Sequence, residues 1–381
     1  MPEHPLPYGR QSIDADDVEA VREALTGDFL TTGPLVERFE AELCAATGAQ
    51  HAVAVDSGTA ALHAAYRAAG LGPGDELVTS PLTFVATASA ALHLGAGVRF
   101  ADVEPDTGNL DARAAGALAG PRTRAIAGVD FAGHPCDWDA LNELAAERSW
   151  VPIADAAHSL GARLRGRAVG TLAQLTATSF HPVKVVTTAE GGALLARDAE
   201  HARIAREFRN HGIVRDPRRL ERSGPGWYHE VQSLGFNYRL PDVLCALGLS
   251  QLRKLARFLA RRRELAGRYF EGLRDVAGLE LPAVRAGVEP AWHLFVVRVR
   301  DAARRDAFFE RLRERGLLVQ VHYRPVHLHP VFRELGFRPG LCPVAEDFAA
   351  RALSLPLYPA LSDADAARVI ETVRSESREL L

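Results

Sequence analysis

Between residues 51 and 196 the chain alternates short apolar runs with longer helical stretches, and most of the runs are apolar at every position rather than every second one. They are His51 to Val55, Glu76 to Thr79, Val98 to Val103, Arg124 to Asp130, Val151 to Asp155, Ala177 to Phe180 and Gly192 to Ala196, with helices predicted up to Ala69 and near Thr83 to Leu94. A strand apolar on both faces must be covered on both faces, as in a sheet sandwiched between helices. The pattern predicts an α/β domain with a mainly parallel sheet.

Beyond this series the segment Gly212 to Gly235 is rich in Arg, Pro and Gly without periodicity and reads as a long exposed connection, a kind of loop that often carries function. Pro241-Asp242 opens a helix predicted to run to Val276. A smaller α+β region follows, with strands at Leu294 to Val299 and Leu317 to His322 and helices at Arg304 to Arg315 and Asp363 to Ser375. The expected division is an N-terminal arm over 1–13, a large α/β domain over 14–240, and a connecting helix with a small α+β domain over 241–381.

A net charge of -3, with both signs interspersed, gives no electrostatic footprint for nucleic acid or an anionic membrane. Arg261-Arg262-Arg263 is the densest basic run and is expected on a solvated helix face. Cys44, Cys136, Cys245 and Cys342 form no CxxC pair and are expected to be free thiols in a reducing compartment. No secretory segment opens the chain and no apolar run reaches membrane-spanning length, so the cytoplasm is the expected location.

Lys184 and Lys254 are the only lysines among 45 basic residues, a depletion that GC-rich coding produces by turning surface lysine into arginine. The survivors are therefore informative. A Schiff base needs a primary amine that can lose its proton, which a guanidinium cannot supply. Lys254 lies in the helical pattern of Leu249 to Leu255 and is expected to face solvent; Lys184, in Ser179-Phe180-His181-Pro182-Val183-Lys184, has no such pattern.

Asp155 ends the apolar run from Val151, at a strand's carboxyl edge where open α/β sheets put their ligands, though a strand-end Asp can also simply cap a helix. Lys184 is followed by the glycine-rich turn Thr187-Thr188-Ala189-Glu190-Gly191-Gly192. An amine to hold an aldehyde and a carboxylate to keep a pyridine nitrogen protonated are what pyridoxal phosphate requires. Asp56-Ser57-Gly58-Thr59-Ala60 forms a strand-turn-helix junction whose free N–H groups and hydroxyls suit a phosphate, or serve as an ordinary helix cap. GxGxxG and GxxxxGK[ST] are absent, which argues against nicotinamide and P-loop readings. His327-x-His329 has no acidic cluster near it in sequence, and no metal is expected.

Ser57-Gly58-Thr59-Ala60-Ala61-Leu62, Pro81-Leu82-Thr83-Phe84, Asp155-Ala156-Ala157-His158, the run Ser179 to Lys184, Thr187 to Gly192 and Gly235-Phe236-Asn237-Tyr238-Arg239-Leu240 together resemble the motifs of the DegT/DnrJ/StrS sugar-nucleotide aminotransferases over essentially the whole chain. The resemblance implies a fold-type I pyridoxal-phosphate enzyme. Tyr8 to Ile13, Asp28 to Pro34 and the Lys184 context most resemble enzymes that aminate C4 of a UDP-linked 4-keto-6-deoxy-N-acetylhexosamine on the route to pseudaminic acid, with L-glutamate as donor.

On that resemblance Lys184 is the lysine that holds the cofactor and Asp155 the ring-nitrogen carboxylate. Phe84 and His158 lie at the ring, Ser57, Gly58, Thr59 and Ser179 at the phosphate, and Asn237 reaches in from the neighbouring subunit of a homodimer. Tyr8, Phe29, Leu30, Thr31, Thr32, His322, Tyr323, Arg324 and Pro325 match substrate-facing segments. Related dehydratases carry His at the lysine position, so Lys184 favours amino transfer. The rival readings are an aminotransferase for a dTDP- or GDP-linked keto sugar, at C3 or C4, and a non-catalytic regulator of the same fold. Ala189 stands where the family turn commonly has glycine, so its backbone is expected to avoid positive φ.

Overall fold

A computed structural model of the protein describes residues 4–381, so the first three residues of the predicted arm lie outside it. The main sheet has seven strands: β1 (His51–Val55), β2 (Glu76–Thr79), β3 (Gly97–Phe100), β4 (Thr123–Val129), β5 (Val151–Asp155), β6 (Leu175–Ser179) and β7 (Gly192–Ala196). Their spatial order is β1-β7-β6-β5-β4-β2-β3, and only β7 runs against its neighbours. A parallel return needs a crossover, usually a helix. The link from β6 to β7 contains no helix, so the chain comes back antiparallel, and this link carries Lys184.

Alternate residues of each strand enter different cores. Val53, Val55, Leu77, Ile153 and Leu194 pack with Gly58–Ala68, Ala86–His93 and Ala199–Phe208. On the opposite face Ala52, Ala54, Ala193 and Leu195 meet Pro34–Thr47 and Asp242–Arg253, while Val78, Ile126 and Ala154 meet Trp138–Arg148. Pro152 is tolerated in the interior strand β5 because the ladder with β6 begins one residue later, at Ile153↔Leu175, so no ladder donor is lost. A further core, from Leu265 to Val373 with Leu6 added, forms around the sheet of Leu279–Glu280, Phe295–Val299 and Ala352–Leu355.

Several local expectations are corrected. The helix predicted from Asp242 to Val276 is two, Asp242–Arg253 and Leu255–Leu273, broken at Lys254. Lys254 does not face solvent: it is 9% exposed and paired with Asp14 and, at 2.8 Å, with the fully buried Asp17. Arg262 is also fully buried, its Nη1 donating to the carbonyls of Trp292 (3.0 Å), His293 (3.3 Å) and Leu357 (3.0 Å). The strand predicted to His322 stops at Leu318, where it pairs with Leu6–Pro7 of the arm. The segment Gly212 to Gly235 is an exposed connection with one two-residue pairing, Ile213–Val214 against Glu230–Val231. All four cysteines are free. Among the described residues no helix is long and apolar enough to cross a membrane.

Candidate active site

The carboxyl ends of β1, β5 and β6 open on a cavity of about 590 Å³. That is where strands of an open α/β sheet leave unpaired backbone and where the loops diverge. Of the residues singled out in sequence, Tyr8, Ser57, Gly58, Thr59, Phe84, Asp155, His158, Ser179, Lys184, His322 and Tyr323 line it. Phe29, Leu30, Thr31, Thr32, Asn237, Arg324 and Pro325 do not line it in the single chain; Pro325 is buried and the others are exposed.

Asp155 sits on the floor as the last residue of β5, 5% exposed. Its Oδ2 accepts from Thr87 Oγ1 at 2.6 Å and its Oδ1 from the Ala157 N–H at 3.2 Å. Burial raises its pKa, opposed by these two hydrogen bonds and the nearby Lys184. Thr87 is itself fixed, sharing a 2.7 Å hydrogen bond with Thr83 Oγ1. Sequence reading missed Thr87; its only signal is a polar residue in the alanine-rich helix Ala86–His93, a residue type that can equally bond its own backbone.

Lys184 extends from the β6–β7 link, where its N–H donates to the His181 carbonyl at 2.9 Å. Burial lowers its pKa to about 8, against the pull of Asp155 in the other direction. The amine is therefore close to half-neutral in weakly alkaline water. The turn that follows places Ala189 at φ +66°, contrary to expectation, with its N–H on Thr187 Oγ1 at 2.9 Å. This local hydrogen bond accompanies an alanine at a position where glycine would fit without strain.

Three imidazoles stand opposite. His158 shares a 3.0 Å hydrogen bond between its Nε2 and Tyr323 OH, and its ring lies 4.3 Å from that of His293. His322 Nδ1 bonds Ser354 Oγ at 2.8 Å, and its ring lies 4.9 Å from that of Tyr8. Burial holds His158 and His293 well below the usual range and His322 at about 3, with Lys184 adding to each. All three are neutral near pH 7. His293 has no local motif to announce it; the backbone of Trp292, at φ +51°, turns it inward.

At the far wall the helix Gly58–Ala68 points its N-terminus into the cavity. Ser57 caps it, accepting the Ala60 N–H at 3.1 Å, which leaves the first amides of the helix, at Gly58 and Thr59, without intrahelical partners. A Cβ at Gly58 would lie 2.8 Å from Ser179 Cβ, so glycine keeps this wall open.

These features fit pyridoxal phosphate on grounds internal to the molecule: a primary amine and a buried carboxylate share one cavity, an amide-lined recess lies to one side, and buried His158 Nδ1 lacks a partner. Residues 11–374 match the DegT/DnrJ/EryC1/StrS aminotransferase family. The chain belongs to this family. It is 40% identical over 376 residues to the spore coat polysaccharide biosynthesis protein SpsC of Bacillus subtilis, covering 97% of each chain. In structure it is similar to Helicobacter pylori PseC, an aminotransferase involved in pseudoaminic acid biosynthesis, with TM-score 0.93, 31% identity, and 99% and 100% of the two chains covered. It is likewise similar to the PLP-form of the sugar aminotransferase Spr1654 of Streptococcus pneumoniae, with TM-score 0.93, 28% identity and the same coverage. The protein is thus a fold-type I, pyridoxal-phosphate-dependent sugar aminotransferase. Among its described residues no cluster of three or more metal-ligating side chains occurs, and His327 bonds Glu346 instead.

Proposed function

We propose that this aminotransferase moves an amino group from L-glutamate to C4 of a UDP-linked 4-keto-6-deoxy-N-acetylhexosamine, as a cytoplasmic homodimer with shared active sites. The observation that carries amino transfer is the pairing of Lys184, with its amine near neutrality, and the buried Asp155 across one cavity. The finer substrate reading is supported by the tyrosine-led arm that brings Tyr8 to the cavity and by the likeness to PseC.

In this reading Lys184 would hold the cofactor's aldehyde carbon, Asp155 its ring nitrogen, Gly58, Thr59 and Ser179 its phosphate, and Phe84 and His158 would lie at its ring. When bound, pyridoxal phosphate supplies an electron-withdrawing ring and the carbon that carries the amino group between substrates. Lys184 Nζ would deliver the proton that sugar C4 gains on amination, a task for which a pKa of about 8 is matched. Asp155 must be ionised for this role, and the Thr87 and Ala157 donors favour its charged form, opposing the upward push of burial. Neutral histidines leave the cavity without competing positive charge.

Phe29, Leu30 and Phe236 are 45 to 55% exposed in the single chain, and Asn237 lies beside Phe236; such apolar exposure supports a surface covered by a second copy. The division into 14–240 and 241–381 remains part of this proposal.

A second reading, a different keto sugar nucleotide, stands beside it because the chain is no less similar to the aminotransferase TlmJ of Streptoalloteichus hindustanus, 35% identical with TM-score 0.92, than to PseC. Incubating the protein with 2-oxoglutarate and a panel of UDP-, dTDP- and GDP-linked amino sugars separates the two. Oxidation of a UDP-linked 4-amino sugar is expected; preference for a dTDP- or GDP-sugar refutes the substrate assignment and leaves amino transfer standing.

A further inference from the structure

Lys254, the second of the two lysines, lies outside the cavity and is nevertheless buried. Its ammonium sits between Asp14 and Asp17, which the chain brings from some 240 residues away. Asp17 is fully buried, and its Oδ2 also accepts from Gln251 Nε2 at 2.9 Å and from the Asp14 N–H at 3.0 Å. Gln251, 1% exposed, reaches both ways: its Nε2 also donates to the Ser12 carbonyl at 3.0 Å, and its Oε1 accepts the Thr187 N–H at 3.4 Å.

One helix end therefore holds two segments that meet at the cavity. Ser12 belongs to the arm that carries Tyr8, and Thr187 to the link that carries Lys184. Two close approaches show the same arrangement. A Cβ at Gly248, on the same helix, would lie 2.9 Å from Thr188 Cγ2, and a Cβ at Gly9 would lie 3.3 Å from Val183 Cβ. Elsewhere the arm is held by the two-residue pairing of Leu6–Pro7, by Leu6 in the smaller core, by the His4 carbonyl accepting from Arg368 Nη1 at 2.9 Å, and by Tyr8, whose carbonyl accepts the Leu357 N–H at 3.0 Å and whose ring lies 4.9 Å from that of His322.

We propose that Gln251, Lys254 and Asp17 form a positioning latch that sets the register of the N-terminal arm against the Lys184 link, so that disturbing the arm side alone misplaces Lys184. The consequence for cofactor and sugar rests on the function proposed above; the mechanical coupling does not. A buried ion pair is a poor source of stability but a good register pin, because alternative registers leave a charge unpaired.

Lys254→Met, which touches neither Thr187 nor the cavity, tests the latch in the full-length protein. Hydrogen exchange in cofactor-free protein is expected to rise about five- to tenfold in both 6–13 and 183–190, with the interior strands β4 and β5 unchanged. In the loaded enzyme the pH midpoint of the cofactor's visible absorbance should shift, and KM for the sugar should rise by a larger factor than kcat falls. Gln251→Leu, which leaves the Lys254–Asp17 pair intact, should loosen the same two segments and serves if Lys254→Met folds poorly. Faster exchange in the arm alone with an unmoved midpoint overturns the coupling. A uniform rise over the whole chain reduces the latch to ordinary stability. If the sugar assignment fails, the exchange result still decides.

Discussion

Replacing Lys184 by Met in the cofactor-free protein should raise stability near pH 7, by an amount set by the cost of burying an ammonium. Burial lowers the amine from 10.5 to about 8, and a difference of that size corresponds to roughly 3 kcal/mol. The cavity admits water, so screening reduces the usable figure to about 1–2 kcal/mol. Below pH 8 the amine is protonated in both folded and unfolded chains, and the wild type bears the full cost. Between about pH 8 and 10.5 the unfolded chain binds more protons than the folded one, so wild-type stability rises with pH relative to the variant. The advantage of Lys184→Met should therefore be largest at pH 7 and fade toward pH 10.5. Urea unfolding of both proteins at matched pH values measures it. A pH-independent difference, or a variant less stable at pH 7, would refute the buried, easily neutralised amine on which the proton-transfer role depends.

Thr87→Val removes the 2.6 Å donor to Asp155 and should move the acid limb of the pH–rate profile upward by about 1–2 units, because the carboxylate loses a partner of roughly 1.5–3 kcal/mol; an unmoved limb counts against Asp155 as the titrating group. Tyr323→Phe should slow both half-reactions, since its hydroxyl is engaged with His158 rather than free for sugar, whereas Tyr8→Ala should weaken only the sugar half; single-turnover absorbance with glutamate alone, then with keto sugar, separates these outcomes. Mixing inactive Lys184→Ala and Asn237→Ala subunits should restore activity if Asn237 serves the neighbouring site, and no recovery despite subunit exchange places it elsewhere. Ala189→Gly should stabilise the fold by up to about 1 kcal/mol in thermal unfolding, by relieving the φ +66° backbone; a loss of stability would show that the unfolded-state entropy of glycine outweighs that strain.

The strands of the main sheet and the placing of Asp155 and Lys184 near strand ends were legible in the sequence, because side-chain periodicity and turn chemistry are properties of a few consecutive residues. Resemblance to the family's motifs also marked eleven of the residues that line the cavity, of which Asp155, Lys184 and the Ser57–Thr59 junction carry a local signature of their own. What could not be read is which distant segment covers a polar side chain. Lys254 follows the same helical pattern whether it meets water or Asp17, and Arg262 sits in a run of three arginines of which it alone is fully buried. Likewise Thr87 among alanines gives no sign of the carboxylate 68 positions later that it holds. Those outcomes depend on packing between elements far apart in the chain, and only the tertiary structure decides them.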